Sequence, residues 1–408
     1  MTAGRAEVEP VYALAPGIDA SVAPPGVHYQ PIGVPPPGMS PSGARRWLGT
    51  GRVSNALRWI WKEVRGLAAD ATPDPDRLRS SPVVGAWADR ERIDWLLYTT
   101  ATSVAFEAGR PYVAPVHDLQ HRLQPHFPEV SNDGERERRE YLFRNLTRHA
   151  TLILVDSDVG REDVLEFYGP FGVEPDRVKV LPFRPPSYLA PEVSEAERAR
   201  VRAALHLPER YLLYPAQFWP HKNHLRLVEA VGQLKQRGEE VHVVLCGSHT
   251  GPYRELTFAQ MTAAADRLGV TAQVHLPGYV PDDAMSALYA ESSGVLMPTF
   301  FGPTNIPVVE GWAFGKPVLS SDIRGVREQV GEAGLLVDPT SVEAIAEGVR
   351  RLWTDAELCA ALVARGRQRL ADQSPADFDG TFAAILREAG ERVRQGDAPF
   401  ARPRVHAA

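Results

Sequence analysis

In the segment FFGPTNIPVVEGWAFGKPV, which begins at Phe300, a glycine, a proline and an acid stand in an order that can hold a phosphate beside a diol. Pro307 has no amide hydrogen to lose and a φ suited to the first helical position, so a short helix is predicted from Pro307 to Phe314, stopping near Gly315. The turn Gly302 to Ile306 then lies at the helix N-terminus, where unpaired N–H groups and the positive end of the dipole favour an oxyanion. Glu310 sits one turn into the helix. Its carboxylate can accept hydrogen bonds from two neighbouring hydroxyls, as the acid of dinucleotide sites does with ribose. Together these residues suggest a nucleoside diphosphate.

Three further constellations carry chemistry. In PAQFWPHKNH, between a strand and the helix of Leu225 to Gln236, Lys222 stands where a flexible ammonium can neutralise a pyrophosphate leaving group. His221 and His224 lack a nearby Cys or carboxylate at ligand spacing and read as loop histidines, so no metal site is expected. In VHDLQH, His117 and His121 are four residues apart, a spacing that would put two imidazoles on one helix face. Asp118 stands where a zinc protease has its glutamate, and no third ligand is evident. His117, at a strand end, reads better as a hydrogen-bonding group for a sugar or phosphate oxygen. In LPGYVPDDAMSALY, Gly278 ends a strand and Pro281 with Asp282 can open a helix, which leaves the backbone of Tyr279 and Val280 free to read a base edge.

The elements that must position these residues follow from composition and pattern. A chain of 408 residues exceeds one ordinary core and implies two domains. A formal net charge of −6 argues against a nucleic-acid partner, which would need a broad cationic surface. Two cysteines give no disulfide framework and suit a reducing cytosol, and no apolar run is long enough to span a bilayer. A cytoplasmic protein is expected. The first 41 residues are rich in Pro and Gly and weakly specified. A helix with basic residues follows from Ala44 to Ala68. Its Trp47, Trp59 and Trp61 suit either core packing or peripheral contact with an anionic membrane on its inner face.

From Ile93 short apolar strands alternate with helices, at Asp94 to Tyr98, Tyr112 to Val116, Leu152 to Asp156 and Val178 to Pro182, the pattern of a parallel sheet. Prolines mark a linker near Arg184 to Glu192. A second series begins at Tyr211, with strands YLLYPAQ, VHVVLCG, QVHLPG, GVLMPT, PVLSSD and GLLVDP. Two or three helices then occupy Ala344 to Ala389. The expected division is one βα domain over 1–188, a second over 189–375, and a helix and tail over 376–408 that can cross back.

On PAQFWPHKNH, LPGYV and FGPTNIPVVEGWAFGKPVLSSD, the stretch from about 93 to 370 resembles the bacterial family-4 retaining glycosyltransferases of GT-B fold, in an FGPTNIP-type subfamily. The resemblance implies an α/β architecture of two Rossmann-like domains facing each other across a cleft, the second holding a nucleotide sugar and the first the acceptor. It implies that Lys222 binds the pyrophosphate and that Glu310 holds the ribose hydroxyls. Thr304, Asn305 and Ile306 would offer backbone to the sugar and distal phosphate, Tyr279 and Val280 would meet the base, and His117 would reach the donor sugar. Two positions depart from the pattern. Gly302 stands where the family has the first of two glutamates, and Gln217 where it has an arginine five residues before the lysine. A first strand with its glycine-rich loop is also missing, so either the true start lies upstream or the proline-rich segment takes that place.

The implied reaction moves a hexosyl group, with retention, from a nucleotide sugar of GDP-mannose or UDP-glucose type to a hydroxyl of a glycan, glycolipid or small molecule. Lys222, His117 and Glu310 would carry it, with no cofactor and no divalent metal. Two other readings stand beside it: a non-catalytic nucleotide-sugar binder, motivated by Gly302 and Gln217, and a sugar-nucleotide epimerase of the same fold.

Overall fold

A computed structural model describes residues 12–14, 29–31, 74–80, 82–186, 188–372 and 375–400. The tryptophan-bearing stretch from Ala44 to Ala68, with Trp47, Trp59 and Trp61, lies outside the described residues. Strands β1 (Tyr12–Leu14) and β2 (Tyr29–Pro31) pair in parallel as a sheet of their own.

The first large sheet places β3 (Leu96–Leu97), β4 (Tyr112–Pro115), β5 (Leu152–Val155) and β6 (Val178–Val180) side by side in chain order, all parallel. Helices α1 (Glu135–His149) and α2 (Asp158–Tyr168) connect its strands. Ser157 fixes where α2 starts: its side chain accepts the Gly160 amide at 3.0 Å, satisfying one of the donors that a helix start leaves free.

The second sheet contains β7 (Leu212–Pro215), β8 (Val243–Cys246), β9 (Val274–Gly278), β10 (Gly294–Met297), β11 (Val318–Ser321) and β12 (Leu335–Val337). Their spatial order is β12-β11-β10-β7-β8-β9, with every neighbour parallel. The chain therefore runs outward from β7 to β9, returns to lay β10 against β7, and runs outward the other way. Helices α3 (Glu195–Ala204), α4 (His224–Gln236), α5 (Pro252–Leu268), α6 (Asp282–Glu291), α7 (Ile306–Ala313), α8 (Arg324–Val330), α9 (Val342–Thr354) and α10 (Ala356–Asp372) accompany it. Strands β8, β10 and β11 are buried at every position, because a parallel sheet is covered on both faces. For that reason β8 and β10 read in sequence as unbroken apolar runs with no alternation, while β11 ends in the buried Ser320 and Ser321.

The final helix, α11 (Pro375–Gln395), lies against the first sheet. Ile385 and Ala389, one turn apart, are buried with Val113 of β4 and Leu152 of β5. Glu388 pairs with Lys179 at 2.8 Å and Arg392 with Asp176 at 2.6 Å. No helix among the described residues is long and apolar enough to cross a membrane. Ile385→Ala should remove about 2–4 kcal/mol of stability through the cavity it leaves; a shift of the denaturant midpoint by less than the equivalent of 1 kcal/mol would mean that α11 is dispensable to this core.

Candidate functional site

Where the strand order reverses, the loops after β7 and β10 lead to opposite faces of the sheet and leave a crevice at their carboxyl ends, the usual ligand position in such sheets. Lys222 closes a short turn, Pro220–Lys222, and Asn223 follows in the left-handed region at φ 63° before α4 begins. The buried Asn223 side chain donates one N–H to the carbonyl of Pro298 and the other to that of Pro339, both at 2.8 Å. The His221 carbonyl accepts the Phe300 amide at 2.8 Å and the Thr299 hydroxyl at 3.0 Å. These bonds sew the Lys222 loop to the start of the Gly302 turn.

Helix α7 begins at Ile306, one residue before the predicted start, and ends at Ala313, ahead of Gly315 at φ 62°. Gly302 has φ 149°, a backbone open to glycine, and a Cβ there would stand 2.9 Å from Asn305 Oδ1 and 3.1 Å from its Nδ2. The absence of a glutamate at 302 thus has a steric cause: Asn305 fills the space. Gln329 of α8 accepts the Asn305 amide at 2.9 Å and donates to its carbonyl at 3.0 Å, so the Asn305 backbone is already bonded and only its neighbours can offer theirs to a ligand. Glu310 is buried in α7 and accepts the hydroxyl of Tyr289. Ile306 and Tyr279 are exposed, Val280 is buried, and Tyr188, 54% exposed, lies in the field of Glu310, Asp282 and Tyr279. Of the two exposed rings, that of Tyr188 stands near the Glu310 carboxylate.

The first sheet faces this crevice with the ends of β4 and β5. His117, after β4, is exposed and stacked on Phe183 at 5.8 Å. Asp156, after β5, is buried, accepts the Ser157 hydroxyl at 3.0 Å, and accepts the Thr304 hydroxyl from across the cleft. Other bonds close the same gap. Glu129 accepts from the His221 ring at 2.7 Å, Gln124 donates to the Phe300 carbonyl at 2.9 Å, and Arg324 pairs with Asp163 at 2.5 Å. Glu328 accepts the amides of Asp158 and Val159, each at 2.9 Å, at the start of α2.

The histidine expectations need correction in two places. His117 and His121 do not share a helix face, because the turn of helix at Gln120–Leu123 starts after His117; His121 is buried against Tyr168 and Phe143. His224 is not a loop residue: it opens α4, fully buried between the rings of Tyr214 and Phe218 at 4.7 and 4.3 Å, and burial pushes its pKa down to about 3. Among the described residues no three His, Cys, Asp or Glu side chains gather as a metal site.

Burial sets the charges. It pushes the Lys222 ammonium down to about 8, against the opposing pull of Asp118 across the cleft. It raises the Glu310 carboxyl above the ordinary value, which the Tyr289 bond partly offsets, and raises that of Asp156 against the Thr304 and Ser157 hydroxyls. Gln217 accepts from Arg254 of α5 at 2.6 Å, and that guanidinium stacks on Trp219 at 4.6 Å. A cation therefore stands beside the position where sequence comparison left none. Asp156, Tyr188 and Arg254 were not singled out by the sequence. Asp156 carried the same signal as His117, a polar residue closing an apolar strand. Tyr188 sits in a proline-rich stretch and Arg254 in a solvated helix, and neither position has a local mark.

Residues 196–369 match the family model of glycosyl transferases group 1. The chain is 26% identical over 285 residues to O-antigen chain mannosyltransferase B of Escherichia coli, across 69% of this chain and 71% of that protein. It is 32% identical over 241 residues to D-inositol 3-phosphate glycosyltransferase of Salinispora tropica, across 55% and 48%, so the match spans about half of that relative. Among solved structures it resembles HepE of Anabaena in complex with UDP and glucose, with a TM-score of 0.59, 20% identity, and 76% of this chain and 82% of that one covered.

Asn223→Ala leaves two buried carbonyls without donors and should cost about 2–4 kcal/mol. Asn223→Asp keeps the size and tolerates the same φ but has no N–H; if it unfolds at the wild-type denaturant concentration, the two bonds do not hold the crevice.

Proposed function

From a glycosyl transferases group 1 domain within a GT-B fold, we propose that the chain is a retaining hexosyltransferase that uses a nucleoside diphosphate sugar. The observation that carries the reading is the convergence of the Lys222 loop and the Gly302 turn at one crevice, with the Glu310 carboxylate one helical turn behind. In this reading the exposed rings of Tyr279 and Tyr188 flank the base and the ribose hydroxyls bond Glu310. The diphosphate meets Lys222, the start of α7 and Arg254. The relatives' names, a mannosyltransferase and inositol phosphate glycosyltransferases, and the glucose in the Anabaena complex leave GDP-mannose and UDP-glucose as the donors to try.

Chemically, an acceptor hydroxyl oxygen bonds the anomeric carbon on the face that the diphosphate leaves. The bond from that carbon to the phosphate oxygen breaks, and the hydroxyl proton passes to the departing phosphate. Charge building on that oxygen is stabilised by fixed cations and dipoles, and the reading asks for no divalent metal. His117, exposed at the end of β4, would reach the donor sugar from the first lobe. The two sheets brought together exclude water, which limits hydrolysis of the donor.

Mixing the protein with GDP-mannose and UDP-glucose should raise its melting temperature with one of them, and mass spectrometry should then show sugar transfer or slow donor hydrolysis. Lys222→Ala and Glu310→Gln should each lower turnover by about 10²-fold or more with the fold intact, and Arg254→Ala should weaken nucleotide binding. Wild-type rates in both of the first two variants would sink the proposed donor site, and stabilisation without any turnover would identify a binder.

A pH profile gives a separate check. Nucleoside diphosphate affinity should fall as pH rises through about 8, where Lys222 loses its charge. On the acid side it should begin to fall at a higher pH than an ordinary carboxylate would give, as Glu310 takes up a proton. Stability of the free protein moves the other way. The folded Lys222 value lies below its usual 10.5, so the cost of burying its charge is fully present below about pH 8 and is relieved as pH rises towards 10.5. Affinity that stays flat across pH 8 would remove Lys222 from the phosphate site.

A further inference from the structure

We propose that Asp156 of the first lobe, with Thr304 and Asn305 of the second, forms the subsite that recognises the hydroxyls of the donor sugar. The proposal rests on the donor-site reading above and adds the residues that would tell one sugar from another.

Three observations carry it. The first is that Gly302 cannot be the source of sugar recognition. It has no side chain, its φ of 149° disfavours one, and the space a Cβ would take is filled by the Asn305 carboxamide. The second is the state of that carboxamide. Asn305 is 3% exposed, and its Nδ2 has no hydrogen-bond partner among the described residues. A buried amide nitrogen with two idle donors is costly, and it is satisfied once a ligand oxygen arrives.

The third is Asp156. The residue is 6% exposed, and no Lys or Arg pairs with it among the described residues. The Thr304 and Ser157 hydroxyls and its own backbone N–H donate to it. A carboxylate offers about four lone-pair positions, so roughly one remains open. Burying such a group with an unused acceptor position is unfavourable unless another donor reaches it, and sugar hydroxyls are donors of that kind. The bond from Thr304 crosses between the lobes, which places Asp156 among the groups facing the cleft.

The arrangement offers an acceptor from one lobe and a donor from the other, joined through the Thr304 hydroxyl. Hydroxyls on adjacent carbons of a hexose each donate and accept, so they fit such a pair. The subsite is complete only while the lobes are together, so the sugar would be read at closure. The nucleotide, bound by the second lobe, would be held before it. Asp156 would touch the sugar away from the bond that breaks and would set specificity.

Titration calorimetry with two ligand pairs, GDP with GDP-mannose and UDP with UDP-glucose, separates the possibilities. Asp156→Asn should bind the nucleoside diphosphate within about threefold of wild type and the matching nucleotide sugar about tenfold more weakly. Asn305→Ala probes the same subsite from the other lobe, should Asp156→Asn fail to fold, and should show the same split. In turnover assays the two variants should lose discrimination between the two donors, and Asp156→Glu should restore part of it. If both ligands of a pair weaken together, Asp156 serves only to join the lobes and the proposal is overturned. It is overturned equally if neither ligand weakens. If wild-type protein binds neither GDP nor UDP, the donor-site reading falls and the subsite with it, an outcome distinct from the other two.

Discussion

The cleft depends on one constraint, the side-by-side placement of β7 and β10, between which the chain forms two other strands, β8 and β9. Parallel crossovers send the helices after these strands to opposite faces of the sheet, so their loops diverge and open a crevice. Divergence alone would leave the two loops unrelated in position. Asn223 removes that freedom with one carboxamide bonded to carbonyls from the β10 and β12 loops. Its left-handed backbone is tolerated because asparagine is among the few side-chain-bearing residues that adopt it readily. The Lys222 ammonium and the α7 N-terminus are thus held in a common frame before any ligand arrives.

Helix α8 extends that frame to the first lobe. Gly325 lets it approach the turn so closely that a Cβ would stand 2.5 Å from the Pro303 backbone. From this post Gln329 fixes both backbone groups of Asn305, while Glu328 and Arg324 hold the two ends of the first turns of α2. One short helix therefore touches the Gly302 turn on one side and the opposing lobe on the other. Most of these interlobe contacts are polar and lie near solvent, where individual ion pairs contribute little, about 0–1 kcal/mol each. Such an interface holds the two lobes together without making the contact permanent.

The fold was legible where burial is uniform. The strands at Val243–Cys246 and Gly294–Met297 are apolar throughout because both faces are covered, that at Val318–Ser321 is buried throughout but closes with two serines, and small or polar residues follow each at the crevice. Proline at the second position of α7 and glycine after its end gave that helix within a residue at each end. Side-chain identity at a strand end was legible too, which is how His117 stood out. What the sequence hid were partners made by the tertiary fold. No spacing relates Asp156 to Thr304, and none relates Arg254 to Gln217. The histidines misled for a similar reason: helix periodicity was assumed across Asp118 and Leu119, where the chain has not yet turned helical, and the burial of His224 between Tyr214 and Phe218 comes from packing.

Gly302 and Gln217 share a physical logic once the geometry is in view. Taken singly, each is a missing charged group, an acid for a sugar and a cation for a phosphate, and the pair motivates a degenerate binder. In three dimensions a group of the matching sign stands near each gap. The Arg254 guanidinium is bonded to Gln217 itself, and the Asp156 carboxylate is bonded to Thr304, two residues from Gly302. A loop residue replaced by a side chain from a neighbouring element keeps the field at the site while freeing the local backbone. At 302 that freedom is used, since φ 149° and the Asn305 carboxamide occupy the conformation and the space a glutamate would need. Restoring glutamate there would strain the turn and displace Asn305, so the altered motif is part of how this turn is built and gives no argument by itself against catalysis.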